Sequence, residues 1–389
     1  MSWRLFLFAI PTLIVFALAQ VFLYRRLVRD VTEHRWARKV AAVALPVLLV
    51  SGWVVGAISG RYRSDELRAV ALVLLIWGGF LQYALLTTLC FEAGFWWHRR
   101  RGARVETAPF DPARRLFFQR AAALTTGVAS TAIVAHGVSQ AFSEPAVTEL
   151  PVKIVDLPSA LEGLTIVQLT DVHVGAIVQA QFLQQLVDVA NRQKPDLVAI
   201  TGDLVDGKVE HLAGYVATLN GLRSRYGTYF VTGNHDYYSG VDDWLAQLDR
   251  FGWVALRNRH VRVGDAGASF DLVGVDDWGT PRTGRRDYDL GRAVQGRRAG
   301  RASVLLSHQP VNEESVAASD IGLQLSGHTH GGQLFPGPLI AQAIWGERYA
   351  GLSRVGDTWF YTSRGCGFVG PPVRVMAPPE VVKVVLLRA

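Results

Sequence analysis

Three times before residue 92 the chain runs for 20 residues or more without a charged side chain: Leu5–Tyr24, Val40–Ser59 and Ala69–Phe91. About 20 apolar residues carry a helix across the hydrocarbon core of a bilayer, where each backbone polar group must be satisfied within the segment. Core helices of soluble domains rarely stay uncharged for so long, so these stretches are predicted membrane spans. A fourth stretch, Ala121–Phe142, is uncharged but richer in Ala, Thr and Gly, which makes it a poorer span.

The distribution of charge supports this. The net charge is +7, yet residues 1–120 hold 17 Lys/Arg against 7 Asp/Glu and the remainder 23 against 26. A basic excess confined to loops between apolar runs marks membrane flanks, and no nucleic-acid binding is expected. The first basic loop holds Arg25, Arg26, Arg29, Arg35, Arg38 and Lys39. The second holds Arg99, Arg100, Arg101, Arg104, Arg114, Arg115 and Arg120. The positive-inside rule places both in the cytoplasm, so the chain after residue 143 is expected on the extracytoplasmic side. RRLFFQR, Arg114 to Arg120, resembles a twin-arginine export signal without its Ser/Thr and in an internal position; ordinary juxtamembrane charge reads equally well. Within the spans only Gln20, Gln82 and His136 are notably polar, with Glu92 at an edge. Transport needs ionisable groups in the bilayer, whereas an anchor does not. The two cysteines, Cys90 and Cys366, offer neither a disulfide framework nor a thiolate metal site.

From about Val152 the texture changes. VKIVDL, LTIVQLT, DLVAIT, GTYFVT, FDLVGV, SVLLS and GLQLS read as strands, and FLQQLVDVANRQ and VDDWLAQLDRF as amphipathic helices. Such alternation predicts a layered α/β domain, with ligands at the carboxyl ends of its strands. Five of those ends carry metal-ligand side chains: Asp171 and His173, Asp203 with Asp206, Asn234-His235-Asp236, His308, and His328 with His330. Any one would be ordinary turn chemistry. Five together, after separate strands, point to a shared ligand.

The ordered set DxH, GDxxD, GNHD, a single His and GHTH resembles the calcineurin-like metallophosphoesterase family over residues 150–389. GHTHGGQLFPGP, YTSRGCGFVGPPVRV and PPEVVKVVLL are similar to its membrane-associated bacterial YkuE- and YaeI-like branch. The resemblance implies a four-layer α-β-β-α sandwich at 146–389. The apolar runs place before it a transmembrane helical module at 1–145 with spans near 5–24, 40–59, 69–91 and 121–142, and together with the bacterial branch they lead to the expectation of a multi-pass protein of the bacterial inner membrane. The resemblance carries more than the fold.

It also implies two divalent metal ions. Asp171, His173, Asp203 and His330 would hold one, and Asp203, Asn234, His308 and His328 the other, with Asp203 shared. Donors without thiolate suit manganese, iron or zinc. His235 would stand beside the leaving oxygen. Asp236 would orient it and Asp206 would support a ligand, although structural roles fit both equally. Arg364 reads either as a phosphate grip or as a salt-bridged structural residue. The implied reaction is hydrolysis of a phosphodiester or pyrophosphate, possibly lipid-linked, by a metal-bridging hydroxide. A phosphomonoesterase, or a non-catalytic membrane receptor or scaffold, is the alternative. Arg282 to Arg301, with seven arginines, reads as a solvated helix face and loop, or else as a lipid head-group contact.

Overall fold

The computed structural model describes residues 14–59, 65–102, 111–279 and 287–389. Contacts divide the chain into two units, Met1–Ala57 with Ala69–His136, and Ile58–Arg68 with Gly137–Ala389.

The first unit is helical. Residues 14–23 form a helix that runs into a π-helical stretch, Tyr24–Arg29, and α1 (Arg35–Ser59), α2 (Asp65–Gly102) and α3 (Pro112–Phe142) follow. Among the described residues two helices are long and apolar enough to cross a bilayer, Glu66–Arg101 and Pro112–Phe142, covering the third and fourth expected spans. The second expected span lies within α1. Residues 5–13 of the first, and Arg61, Arg63 and Arg104 of the flanking loops, lie outside the described residues. Leu23, Leu81 and Ala84 form a small core with Leu27, Leu45 and Trp77 around it. Glu92 does not stand alone among its apolar neighbours: Arg26 donates to it at 2.7 Å, so the two charges offset each other.

The second unit holds two six-stranded sheets. The first runs β1 (Ala146–Ile154), β12 (Glu380–Arg388), β2 (Thr165–Leu169), β3 (Leu197–Thr201), β4 (Thr228–Val231), β5 (Val254–Ala255). The second runs β10 (Gly351–Val355), β11 (Thr358–Thr362), β9 (Leu323–Ser326), β8 (Ser303–Leu306), β7 (Ala268–Gly274), β6 (Arg259–Asp265). β2 to β5 are mutually parallel, as are β7, β8, β9 and β11. Parallel strands are buried on both faces, which explains why LVAIT, SVLL and LQLS are continuously buried while edge strand β1 alternates.

One core joins the sheets. Ile166, Leu197, Val231 and Val384 of the first meet Phe270, Leu272, Val304 and Leu325 of the second. On the outer face of the second sheet, Val273, Leu305 and Phe360 pack against Leu290, Ala293 and Val316. These last belong to α8 (Leu290–Val294) and α9 (Glu313–Ala317), which follow α4 (Ala180–Arg192), α5 (Val209–Val216), α6 (Asn234–Tyr238) and α7 (Val241–Arg250). α4 buries Phe182, Leu183, Leu186, Val187 and Ala190, a stripe at three- and four-residue spacing.

In the arginine-rich stretch Arg292 and Arg298 are exposed, in keeping with a solvated face, but two other arginines are not free. Arg297 and Arg301 both pair with buried Asp271, at 3.4 and 3.1 Å, because Asp271 enters the sheet on β7 and needs counter-charge. Residues 280–286 of that stretch lie outside the described residues.

Phe270 is fully buried between the sheets. Phe270→Ala should cost about 3–5 kcal/mol, read as a lowered urea midpoint of the full chain in detergent. A cost under about 1 kcal/mol would mean the sheets do not pack there.

Candidate metal centre

Parallel order brings the carboxyl ends of β2, β3, β4, β8 and β9 to one edge of the sandwich, and every candidate ligand follows one of them. Asp171 and His173 come after β2, Asp203 and Asp206 after β3, Asn234 to Asp236 open α6 after β4, His308 follows β8, and His328 and His330 follow β9. Three groups of donor atoms result, each within 4.8 Å of one another: Asp171, His173 and His330; His173, Asp203 and His235; Asp203, His308 and His328.

Hydrogen bonds fix which ring nitrogen is available. The Nδ1 of His173 lies 3.0 Å from Asp206 Oδ1, and the Nδ1 of His308 lies 2.9 Å from the carbonyl of Thr201. In the neutral form of either ring, the form a metal ion binds, an N–H donated there leaves Nε2 with its lone pair facing the centre, the usual arrangement behind a metal-bound imidazole. His173 Nε2 then faces His330 Nε2 at 3.0 Å, and His308 Nε2 faces His328 Nδ1 at 3.2 Å. Asp203 Oδ2 is 3.2 Å from His308 Nε2 and 3.8 Å from His173 Nε2, between the two histidine pairs. The Oδ1 of Asn234 is buried with no hydrogen-bond partner. These residues fit divalent ions. Two ligands about 2.0–2.1 Å from one ion lie roughly 3 Å apart, and an orphaned amide oxygen is the donor such an ion would take up.

The backbone is bent to aim these groups. Asp171, His173, Asp203, His328 and His330 all have positive φ, between 49° and 71°. This left-handed region is unfavourable for residues with a Cβ and clusters at functional sites. Close approach supplies the rest. A Cβ on Gly233 would strike the Asp203 carboxylate, and one on Gly327 would strike Asp171 and the Thr170 hydroxyl.

Burial sets the charges. It would push His173 down, but Asp206, Asp203 and Asp171 outweigh it and hold the imidazole at about 9. In His308 burial is likewise outweighed, chiefly by Asp203, and the group is held well above its usual value. His328 is pushed down to about 3 by burial and then by His308. Burial raises Asp171, and burial with Asp203 raises Asp236 to about 7.

Two residues left open between a site role and a structural one, Asp236 and Arg364, have identified partners. Asp236 does not touch the His235 ring. Its oxygens accept from the backbone N–H of Gly233, Asp203, Leu204 and Val205 at 2.8–3.3 Å. The carboxylate on His235 is that of Asp206, 2.6 Å from Nδ1. Of the two readings of Arg364, the structure shows the salt bridge, 2.6 Å to buried Glu380.

Three neighbours were not anticipated. Arg374 is fully buried; its guanidinium donates to the carbonyls of Arg364, Gly367 and Ala377 and lies 3.4 Å from His330 Nδ1. Burial lowers it to about 10. Asp277, raised to about 6 by burial, accepts from Gln309 beside His308. Trp345 stands edge-on to His328, 5.8 Å between ring centres. VRV and DDW carry no motif that would have marked the first two.

Residues 164–332 match the model of the calcineurin-like phosphoesterase family. An uncharacterized metallophosphoesterase of Campylobacter jejuni is 32% identical over 97% of this chain and 97% of its own. A bovine transmembrane protein with a metallophosphoesterase domain is 37% identical over 72% of this chain and 65% of its own. The uncharacterized metallophosphoesterase YkuE of Bacillus subtilis is 31% identical over 60% of this chain and 82% of its own.

Because His173 keeps a proton in the folded chain that it loses above pH 6.5 when unfolded, its contribution is complete below that pH and disappears as pH rises through about 9. His308 shifts in the same direction. Metal-free protein should therefore melt at progressively lower temperature from pH 6.5 to 9, and metal uptake there should release protons. Melting curves and titrations in buffers of different ionisation heat check both; a flat or rising melting temperature would contradict the assignment.

Proposed function

The chain belongs to the calcineurin-like phosphoesterase family, and from that premise we propose that it is a membrane-anchored, metal-dependent hydrolase of phosphodiester or pyrophosphate bonds. The observation that carries this reading is the position of Asp203, one carboxylate between two pairs of facing histidines. The family uses divalent metals, and the Asp and His groups could hold them. Asp171, His173, Asp203 and His330 would bind one ion and Asp203, Asn234, His308 and His328 a second, of manganese, iron or zinc. Such ions supply Lewis acidity that neutralises phosphoryl oxygens and acidifies water near neutral pH.

The chain's own residues do the positioning. Asp206 accepts from the Nδ1 of both His173 and His235; the imidazolium form of His235 then carries its second N–H at Nε2, and that proton passes to the leaving oxygen, leaving a neutral ring still bonded to Asp206. Asp236 holds the backbone that carries Asp203. A diester fits better than a monoester because it brings less charge. Among the described residues, Arg374 is occupied by backbone carbonyls and Arg364 already carries the Glu380 carboxylate on one terminal nitrogen, so neither brings a full free positive charge to a dianion. A non-catalytic scaffold would be free to lose ligands, and all seven are present.

Asp203→Asn removes the shared negative charge and should lower both metal content and activity by orders of magnitude. His235→Ala should keep the metal but slow turnover of a chromogenic phosphodiester about 10²- to 10⁴-fold. Elemental analysis beside the assay separates the two, and equal metal loss in both variants would remove His235 from its role.

The anchor reading draws on the two apolar helices and on relatives named as transmembrane proteins. The side of the membrane follows from the basic loops alone: the hydrolase domain faces away from the cytoplasm. Alkaline phosphatase fused after Ala389 should then be active. Protease added to intact spheroplasts should digest the domain, and full protection until lysis would reverse the orientation.

A further inference from the structure

The helix that follows the GHTHGG turn, α10 (Gly337–Trp345), has a surface unlike that of a soluble domain. Its sequence, GPLIAQAIW, contains no charge, and Ala341 is its one buried residue. Leu339, Ile340 and Ile344 are 57%, 57% and 63% exposed. Leu339 with Ala343 and Ile340 with Ile344 are four apart, so these side chains form one outward stripe. Single exposed aliphatics are ordinary, but a contiguous uncharged stripe marks a surface for an apolar partner.

That stripe is fastened to the metal centre. Trp345 meets His328 edge-on, and the Thr329 hydroxyl donates to the carbonyl of Tyr349 at 2.6 Å. Gly332 and Gly337 pack so closely that neither has room for a side chain. Gln333, between them, donates to the carbonyls of Val369 and Pro371 and accepts from Val375 N–H. The loop it ties down exposes Met376 by 75%.

The same loop identifies the partner. Arg374 N–H donates to Gly137 at 2.9 Å, and Phe368 meets Phe142 edge-on at 5.4 Å. Gly137 to Phe142 are the last turns of α3, a helix apolar enough to cross a bilayer, and they are built into the second unit. Only Ser143, Glu144 and Pro145 separate α3 from β1. On the membrane-anchored reading proposed above, the apolar medium to which this unit is tethered is lipid.

We infer that α10 is an interfacial helix that seats its stripe at the head-group–acyl boundary, so that the centre draws its phosphoester from an amphiphile lying in the bilayer surface. The substrate class rests on the phosphoesterase reading; the docking does not. The test uses the full chain in nanodiscs, in a Cys90→Ala background because Cys90 is exposed and Cys366 buried. A fluorophore sensitive to polarity is attached at Ile344→Cys or, as control, at Glu162→Cys, which lies exposed near the amino end of β2. Emission at position 344 should shift to the blue and be quenched by lipids brominated on their acyl chains, with no change at 162. Equal behaviour at the two positions would overturn the docking and leave a protein partner as the occupant.

A second arm reads the substrate. The combined change Leu339→Ser, Ile340→Ser and Ile344→Ser should lower kcat/KM about tenfold on a nitrophenyl phosphodiester with a long alkyl tail. Turnover of soluble bis-nitrophenyl phosphate should stay unchanged. Parallel loss on both probes would overturn the amphiphile. Quenching at 344 without turnover of either probe by the unaltered chain would preserve the docking and remove the phosphoesterase reading.

Discussion

Buried carboxylates that accept backbone N–H groups determine where everything else in the centre stands. Asp236 accepts from Gly233, after β4, and from Asp203, Leu204 and Val205, after β3, so one side chain sets the spacing of two loops. Asp171 does the same between sheets, accepting from the N–H of His328 at 3.0 Å. In Asp236 these hydrogen bonds favour the ionised form against the burial that raises the group to about 7. They replace the hydration these carboxylates lose and join strand ends that are distant in sequence. The parallel order brings the ends to one edge, and the carboxylates lock them.

The bent backbone belongs to the same design. Five proposed ligands occupy the left-handed region, at a cost of order 1–3 kcal/mol each. Facing imidazole nitrogens and an unpartnered amide oxygen add to it. None of this helps the chain fold. The continuous core between the sheets offsets it, and the donors are held in place before any ion arrives, so little ordering remains to oppose binding.

Much of this was legible in the sequence, because short, nearly unbroken apolar runs ending in Asp, Asn or His announce both the strand and its ligand. The strands quoted from Leu164 to Ser326 all form, as do both amphipathic helices. β5 has two residues, too few for any pattern, and edge strand β10 is only partly buried. The partner of His235 was hidden for a different reason. His235 and Asp236 are adjacent in sequence but lie on the short helix α6, where consecutive side chains diverge and cannot face each other. The carboxylate that does reach the ring, Asp206, comes from another loop. Arg374 was hidden because its partners are carbonyls, which every residue possesses.

Within the second unit, chain connectivity limits how independently the centre and the apolar stripe can move. From His328 to Trp345 one uninterrupted segment supplies two proposed ligands, the glycines that let the turn close, and the exposed apolar stripe. Gln333, in its middle, also holds the loop that carries Arg374 toward His330 and packs on the end of α3. A shift of the stripe would have to move the Gly332–Gly337 contact, and that contact has no slack for even one methyl group. The exposed apolar stripe and the two proposed ligand histidines therefore behave as one rigid piece, so docking of the stripe, on the reading proposed above, would set the depth at which the centre meets its substrate.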